Sequence, residues 1–223
     1  MIGTSVLKSE KKQTLKEKAI IQLRRAIIQG DLKSGTRLVE HELSEILGIS
    51  RLPIREAIGS LAQAGLVTVI PYKGAFVSSF SVREIKEFFV VRELLEIHAA
   101  RLLIEKKDAA LVRKLYDVVD GMDENADDDI VSIVQYDYDF HGLLCKLSDN
   151  RVLYDTWYGL SEKIQCCIAV ELRQLSFAEI RQMHRNITDV IARWSFGEAE
   201  QALKDHLAFA CRLTLQHFEH PAA

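Results

Sequence analysis

The 223-residue sequence predicts a mostly α-helical protein, with an N-terminal winged helix-turn-helix carrying a small β-hairpin wing, followed by an all-α helical bundle. Three observations carry this prediction. The run Glu40 to Ala62 spells two short amphipathic helices around a tight turn. Two short β-branched or aromatic runs follow it directly, and from Ser81 onward apolar residues recur only at helical spacing.

The first element is a periodic helix over residues 13–29, stopped by Gly30, which supplies the third helix of the winged module. Residues 1–12 before it read as a flexible polar arm. In the next helix Leu43, Ile46 and Leu47 form one apolar stripe, ended by Gly48, whose backbone freedom suits a helix terminus. Ser50 is placed to cap the helix after the turn with its side-chain oxygen, and Pro53 sits in the first turn, where a missing donor costs little. Ile54, Ile58 and Leu61 fall at i, i+4 and i+7 and turn inward, so Arg51 and Arg55 share another face near the N-terminus. That end of a recognition helix enters the major groove of DNA, where arginines bind phosphates or bridge guanine edges. Leu66 to Ile70 and Ala75 to Ser78 flank Pro71-Tyr72-Lys73-Gly74 as a two-stranded hairpin. Lys73 sits at its tip, and the hairpin is a wing placed to touch DNA backbone or the minor groove.

The remaining chain reads as helices over roughly 81–106, 109–125, 129–147, 150–173, 176–195 and 198–218, with stops at Asn125 to Asp129, Ser148-Asp149-Asn150 and Ser195-Phe196-Gly197. Consecutive amphipathic helices imply a bundle, which places ligand sites in its core. Charge divides with the architecture. Residues 1–79 hold 12 Lys+Arg against 7 Asp+Glu and residues 80–223 hold 17 against 25, so +5 is joined to −8 within an overall −3. The basic part favours a polyanion and the acidic part would be repelled by one, which sets two domains, 1–79 and 80–223. No apolar run reaches membrane-spanning length and the N-terminus lacks a secretory core, so the expectation is a cytoplasmic protein with no membrane partner. Cys145, Cys166, Cys167 and Cys211 form no Cys-x-x-Cys pair and read as reduced thiols packed in helices.

The bundle carries a second constellation. Asp137 and His141, four apart, project from one helix face. If the last two helices form an antiparallel hairpin about Gly197, His184 is about 10 residues before the end of one and His206 about 8 after the start of the other, which at ~1.5 Å per residue levels the two rings. Three imidazoles and one carboxylate then converge, a mostly nitrogen donor set suited to a divalent Zn, Ni, Co, Fe or Mn ion. The plainer alternative is a surface ion pair and histidines satisfied by local hydrogen bonds. Asp139 points to another face.

Gly30 to Leu38, Glu40 to Leu43, Gly48 to Ala57, Leu61, Gly65-Leu66 and Gly74 to Val77 resemble the N-terminal domain of GntR-family bacterial transcription regulators. Arg92 to Glu96, Asp137 to His141, Asn150, His184 to Ile187, Gly197 to Ala199 and His206 resemble that family's FadR-type effector domain, of the subgroup called FCD. The resemblance implies that Arg51 and Arg55 contact operator DNA, with Ser50 at the start of their helix, Arg37 in the first matching segment, and Lys73 and Gly74 at the wing tip. His41 stands near a position often held by a DNA-contacting arginine. Asp137, His141, His184 and His206 match the metal-ligand set of the metal-binding branch, in which the metal helps hold a small organic acid. Arg92 is a candidate for that acid's carboxylate, or for an ion pair with Glu96 one turn later. Ser34 replaces the proline common before Gly35, a loop change. The whole implies a homodimeric, metabolite-responsive repressor, not an enzyme, released from double-stranded operator DNA by a carboxylate effector. The alternative of another class is a metal-dependent hydrolase carrying a nucleic-acid-binding domain, in which the same four side chains activate water.

Overall fold

A computed structural model describes residues 13–121 and 129–219. The N-terminal part runs α1 (Leu15–Gln29), β1 (Arg37–Leu38), α2 (Glu40–Leu47), α3 (Arg51–Gln63), β2 (Val67–Ile70) and β3 (Gly74–Val77). The bundle runs α4 (Val82–Lys106), α5 (Ala109–Asp120), α6 (Ile130–Leu147), α7 (Arg151–Leu172), α8 (Phe177–Ala192) and α9 (Phe196–Glu219). The expected polar arm and the expected end of α5 at residue 125 lie outside the described residues.

Helix starts follow from side chains that satisfy the first orphan N–H groups. Thr14 with Glu17, Ser81 with Glu84 and Ser176 with Glu179 each form a reciprocal capping box, and Asp108 and Asp129 accept from the second residue of their helices. Ser50 is the exception and corrects its expected role. Its backbone has cap geometry, φ −61 and ψ 157, but its side chain makes no capping bond. Of the two donors an N-cap oxygen can meet, that of the third helical residue is missing here, because the residue is Pro53, and the N–H of the second, Leu52, is not taken up by Ser50.

Two further expectations are corrected in this region. Ile46 does not join the apolar stripe of α2: it is 76% exposed, while Leu43 and Ile49 are buried and Leu47 packs partly against them. An eight-residue helix resting chiefly on α3 buries only a narrow arc, and Ile46 falls outside it. The wing has three strands rather than two. β1 pairs antiparallel with β3, Arg37 opposite Phe76 and Leu38 opposite Ala75, in the order β1-β3-β2. Two residues are too short to display a strand period. β2 and β3 pair from Val67 opposite Val77 to Ile70 opposite Gly74, and the turn between them closes with Lys73 N–H donating to the Ile70 carbonyl at 3.0 Å.

The winged module closes on its own core, from Ala19, Leu23 and Ile27 of α1 through Ile54, Ile58 and Leu61 of α3 to Val67 and Val77 of the sheet. In the bundle α4 is the central helix, packed on α6, α7 and α9, around two apolar clusters. Ile28 departs from the module's core and lies 3% exposed in a bundle cluster beside Phe89, Ile168 and Leu172. Polar ties surround it. Arg24 pairs with Glu162 at 3.3 Å, Arg25 pairs with Asp129 at 3.2 Å, and the Arg173 guanidinium donates to the Ile28 carbonyl at 2.5 Å. The stem of Lys163 lies over Gly65, whose φ of +80 is left-handed; a Cβ at residue 65 would overlap Lys163 Cγ. Among the described residues no helix is long and apolar enough to cross a membrane.

Candidate nucleic-acid interface and metal centre

The cations that the sequence singled out in the winged module are all exposed. Arg51 and Arg55 project from the first two turns of α3, Lys73 from the wing turn, and Arg37 from β1; all four are exposed. Gly74 has φ +110 and no side chain, and the Arg37 guanidinium runs past it, its Nε 3.4 Å from where a Cβ would stand. Arg37 therefore belongs to the wing, a placement that the unseen strand β1 supplies. The uncapped start of α3 leaves backbone N–H groups beside the exposed Ser50, and a helix N-terminus attracts anions. His41 is exposed and stands 3.4 Å from Glu45 one turn on.

Arg55 is held. Its Nε donates to Glu40 Oε1 at 2.8 Å and its Nη2 to Glu40 Oε2 at 2.7 Å, a two-pronged bond from α3 to the first residue of α2. This bond holds the Glu40 carboxyl below the usual carboxylate value, against a slight opposing effect of burial, and Arg51 adds to it. Among the described residues Arg51 itself makes no ion pair.

The second site lies inside the bundle. Asp137 and His141 on α6, His184 on α8 and His206 on α9 each offer one donor atom, and these atoms lie within 4.8 Å of one another. His141 Nε2 is 3.1 Å from His206 Nε2 and 3.2 Å from His184 Nε2. Asp137 Oδ1 is 3.5 Å from the first and 3.3 Å from the last of the α6–α8 pair, His141 and His184. Asp139 stays on the exposed side of α6, accepting from Gln135 at 2.8 Å.

Around these four a further layer fixes the rings. Glu96 on α4 is fully buried and faces three partners: Arg92 Nε donates to it at 2.6 Å, Trp157 Nε1 donates at 2.8 Å, and His141 Nδ1 lies 2.8 Å from its other oxygen, too bent for an aligned hydrogen bond. Arg92 thus takes the ion-pair partner that the spacing suggested, and its Nη2 also stands 3.7 Å from Asp137. Phe140 stacks on His184 with centroids 4.3 Å apart, and Tyr136 lies against the same ring at 5.4 Å. Sequence reasoning missed Glu96 as the carboxylate behind His141, and Trp157 altogether. Only the Arg92–Glu96 spacing hinted at either.

Electrostatics separate the groups. Burial pushes the Glu96 and Asp137 carboxyls up, but Arg92 and His141 around the first, and His141 and His184 bonded to the second, outweigh it and hold both in the charged form. Burial presses His206 well below the usual histidine value, with His141 and His184 adding, and it lowers His184 despite the bond to Asp137. In His141, Glu96 and Asp137 prevail over burial and raise it.

A neutral imidazole has one donor and one acceptor nitrogen, so three Nε2 atoms turned toward one point cannot all be satisfied by one another. Nδ1 of His184 and of His206 are likewise buried without hydrogen-bond partners, so neither ring gains its orientation from behind. Donors held at about 2.1 Å from a metal stand about 3.0 Å apart at right angles and about 3.4 Å at tetrahedral angles. Four of the donor pairs, at 3.1 to 3.5 Å, lie close to that range, and three imidazoles with one carboxylate are the right chemistry for a divalent transition metal. Glu96 behind His141 is the outer carboxylate such ligands commonly have. The residues fit the ion.

The family described as "Bacterial regulatory proteins, gntR family" matches residues 15–77, and the FCD domain matches residues 87–209. The chain is 28% identical over 203 residues to the HTH-type transcriptional regulator YdhC of Bacillus subtilis (strain 168), covering 89% of this chain and 88% of that one. It is 26% identical over 195 residues to the HTH-type transcriptional repressor RspR of Escherichia coli (strain K12), covering 83% and 82%. A solved GntR transcriptional regulator from Rhodococcus sp. RHA1 shares the fold, with a TM-score of 0.70 at 24% identity over 90% of this chain and 97% of that one.

Proposed function

Because the chain belongs to the GntR family of bacterial transcriptional regulators and carries an FCD domain, we propose that it is a metabolite-responsive repressor of the FadR type, working as a cytoplasmic homodimer on double-stranded operator DNA. The observation that carries the sensing half of this reading is the convergence of Asp137, His141, His184 and His206 around one buried point. These four residues would hold a divalent metal, whose positive charge would serve to bind the carboxylate of a small organic acid. Arg92, 3.7 Å from Asp137, puts a guanidinium beside the same cluster, and we assign it to the acid's carboxylate. Glu96 sets a negative charge behind His141, while Arg92 keeps Glu96 charged and Trp157 helps hold it in place.

The output half rests on Arg51, Arg55, Lys73, Gly74 and Arg37, with Ser50 and His41 at the margins of the same face. In a homodimer two such faces meet successive major grooves of an imperfect palindrome, roughly one helical turn apart. Acid binding favours one arrangement of the bundle over another and so changes the spacing of the DNA-reading faces; only differential affinity for the two arrangements drives this. The residues 1–79 and 80–223 then act as reader and sensor, joined where α1 meets α6 and α7. The repressor sign follows the name of the relative RspR.

Metal analysis of the purified full-length protein, with thermal unfolding in the presence of carboxylic acids before and after chelation, tests this. The expected result is one bound transition metal per chain, lost in His206→Ala and Asp137→Asn, and an acid that raises the unfolding midpoint only in the metal-loaded form. A protein that neither carries nor rebinds metal would overturn the sensing half. Hydrolase activity abolished by His141→Ala would overturn the regulator reading in favour of an enzyme.

A further inference from the structure

Arg55 is the exposed cation on the recognition helix whose guanidinium is already committed, and the geometry of that commitment carries a consequence for base reading. A guanidinium has five N–H donors in a rigid plane. Glu40 takes the edge made by Nε and one proton of Nη2, at 2.8 and 2.7 Å. The adjoining end edge, with one proton of Nη1 and the remaining proton of Nη2, is left free of the carboxylate. That edge has the spacing that bridges guanine O6 and N7. A carboxylate bonded in this way fixes the plane of a long flexible side chain and so reduces the ordering required when DNA arrives. It also neutralises the pair, which weakens its attraction to phosphate.

We propose that Glu40 is a positioning residue that clamps Arg55 edge-on and makes it a reader of a guanine rather than a binder of the DNA backbone. This rests on the assignment of α3 as the recognition helix. Arg51, with no ion pair among the described residues, keeps its full charge for phosphate or base contact. The two arginines, one helical turn apart, thereby acquire different tasks from their neighbours alone.

The test uses full-length protein and a duplex enriched by in vitro selection from a randomised library with the wild-type chain. Binding to that duplex and to a scrambled duplex is then measured across salt concentrations for wild type, Glu40→Gln, Glu40→Asp, Arg55→Ala and the Glu40→Gln/Arg55→Ala double variant. Arg55→Ala is expected to relax the selected sequence at a guanine. Glu40→Gln is expected to relax the same position, to lower the ratio of selected to scrambled affinity roughly tenfold, and to steepen the salt dependence on scrambled DNA by about one unit. Glu40→Asp retains the charge but withdraws the carboxylate, so the ratio falls while the salt dependence stays that of wild type. In the Arg55→Ala background Glu40→Gln changes both duplexes equally. An unchanged ratio in both Glu40 variants overturns the clamp, and so does relaxation at a position that Arg55→Ala leaves intact, which makes Glu40 a base reader itself. If Arg55→Ala leaves the selected sequence unaltered, the recognition-helix assignment fails and the clamp with it. Should Glu40→Gln fail to fold, Glu40→Asp alone decides between these outcomes.

Discussion

Glu96 shows how much a single buried carboxylate can organise. It is 0% exposed, and Arg92, which it pairs with, is 3% exposed, so neither charge has water to fall back on. Glu96→Ala takes from the buried guanidinium its shortest carboxylate contact, at 2.6 Å, and the expected loss is about 3 kcal/mol in urea unfolding. Arg92→Met with Glu96→Leu, which removes both charges, is expected to recover most of it. The pH dependence has a definite sign. The Glu96 carboxyl is held below its ordinary value of about 4.3, so its contribution is complete above that value and disappears as pH falls through the lower folded-state value. Chelated wild type is therefore expected to lose stability below about pH 5 more steeply than the doubly apolar variant. The Arg92–Glu96 pair was legible as an i, i+4 spacing, and the four donors were legible because helix rise fixes which residues share a level. Trp157 was not, because its bond to Glu96 joins α7 to α4 across 61 positions of sequence and no local pattern encodes it.

At the scale of elements, most helix limits were readable because capping residues announce them: Ser81, Asp108, Asp129 and Ser176 each mark a start within a residue or two of the expected one. Ser50 has the right identity and makes no cap bond, in a helix start where Pro53 removes one of the two donors it could have met. Strand β1 was invisible for the opposite reason, being a two-residue pairing imposed by β3 rather than by its own composition. The α6–α7 contact makes a further prediction. A Cβ on Gly142 would stand 3.0 Å from Cζ3 of Trp157, which is 1% exposed and bonded to Glu96. Alanine gains about 1 kcal/mol of helix propensity over glycine but overpacks a ring that has nowhere to go. Gly142→Ala is expected to destabilise by roughly 1–2 kcal/mol in thermal or urea unfolding, and to quench or shift tryptophan emission.

For the whole molecule, the charge division of +5 and −8 found its counterpart in separate apolar cores, yet one helix belongs to both. The N-terminal part of α1 buries Ala19 and Leu23 in the winged module, and its C-terminal end buries Ile28 among Ile85, Phe89 and Leu172. Periodicity could place those side chains inside but could not say inside which core. Ile28→Ala removes buried methyl groups at that junction and is expected to cost roughly 2–4 kcal/mol. Operator affinity without effector is expected to persist in that variant, while the effector concentration needed for release rises; binding isotherms with and without acid would measure both. Chelation is expected to lower the unfolding midpoint of wild type and not that of His206→Ala, because an ion that binds only the folded bundle stabilises it by mass action.

The lysine stem resting on Gly65 sets a limit on how such a protein can be altered. Residue 65 follows α3 and residue 163 lies in α7, so their contact joins the winged module to the bundle with no room for a Cβ. Adding a single methyl group by Gly65→Ala acts as a wedge between the two bodies, whereas shortening Lys163 to alanine opens the same contact without strain. The seating of the winged module on the bundle is thus set at one point by the bulk of two positions, 65 and 163, both distant in sequence from Asp137, His141, His184 and His206.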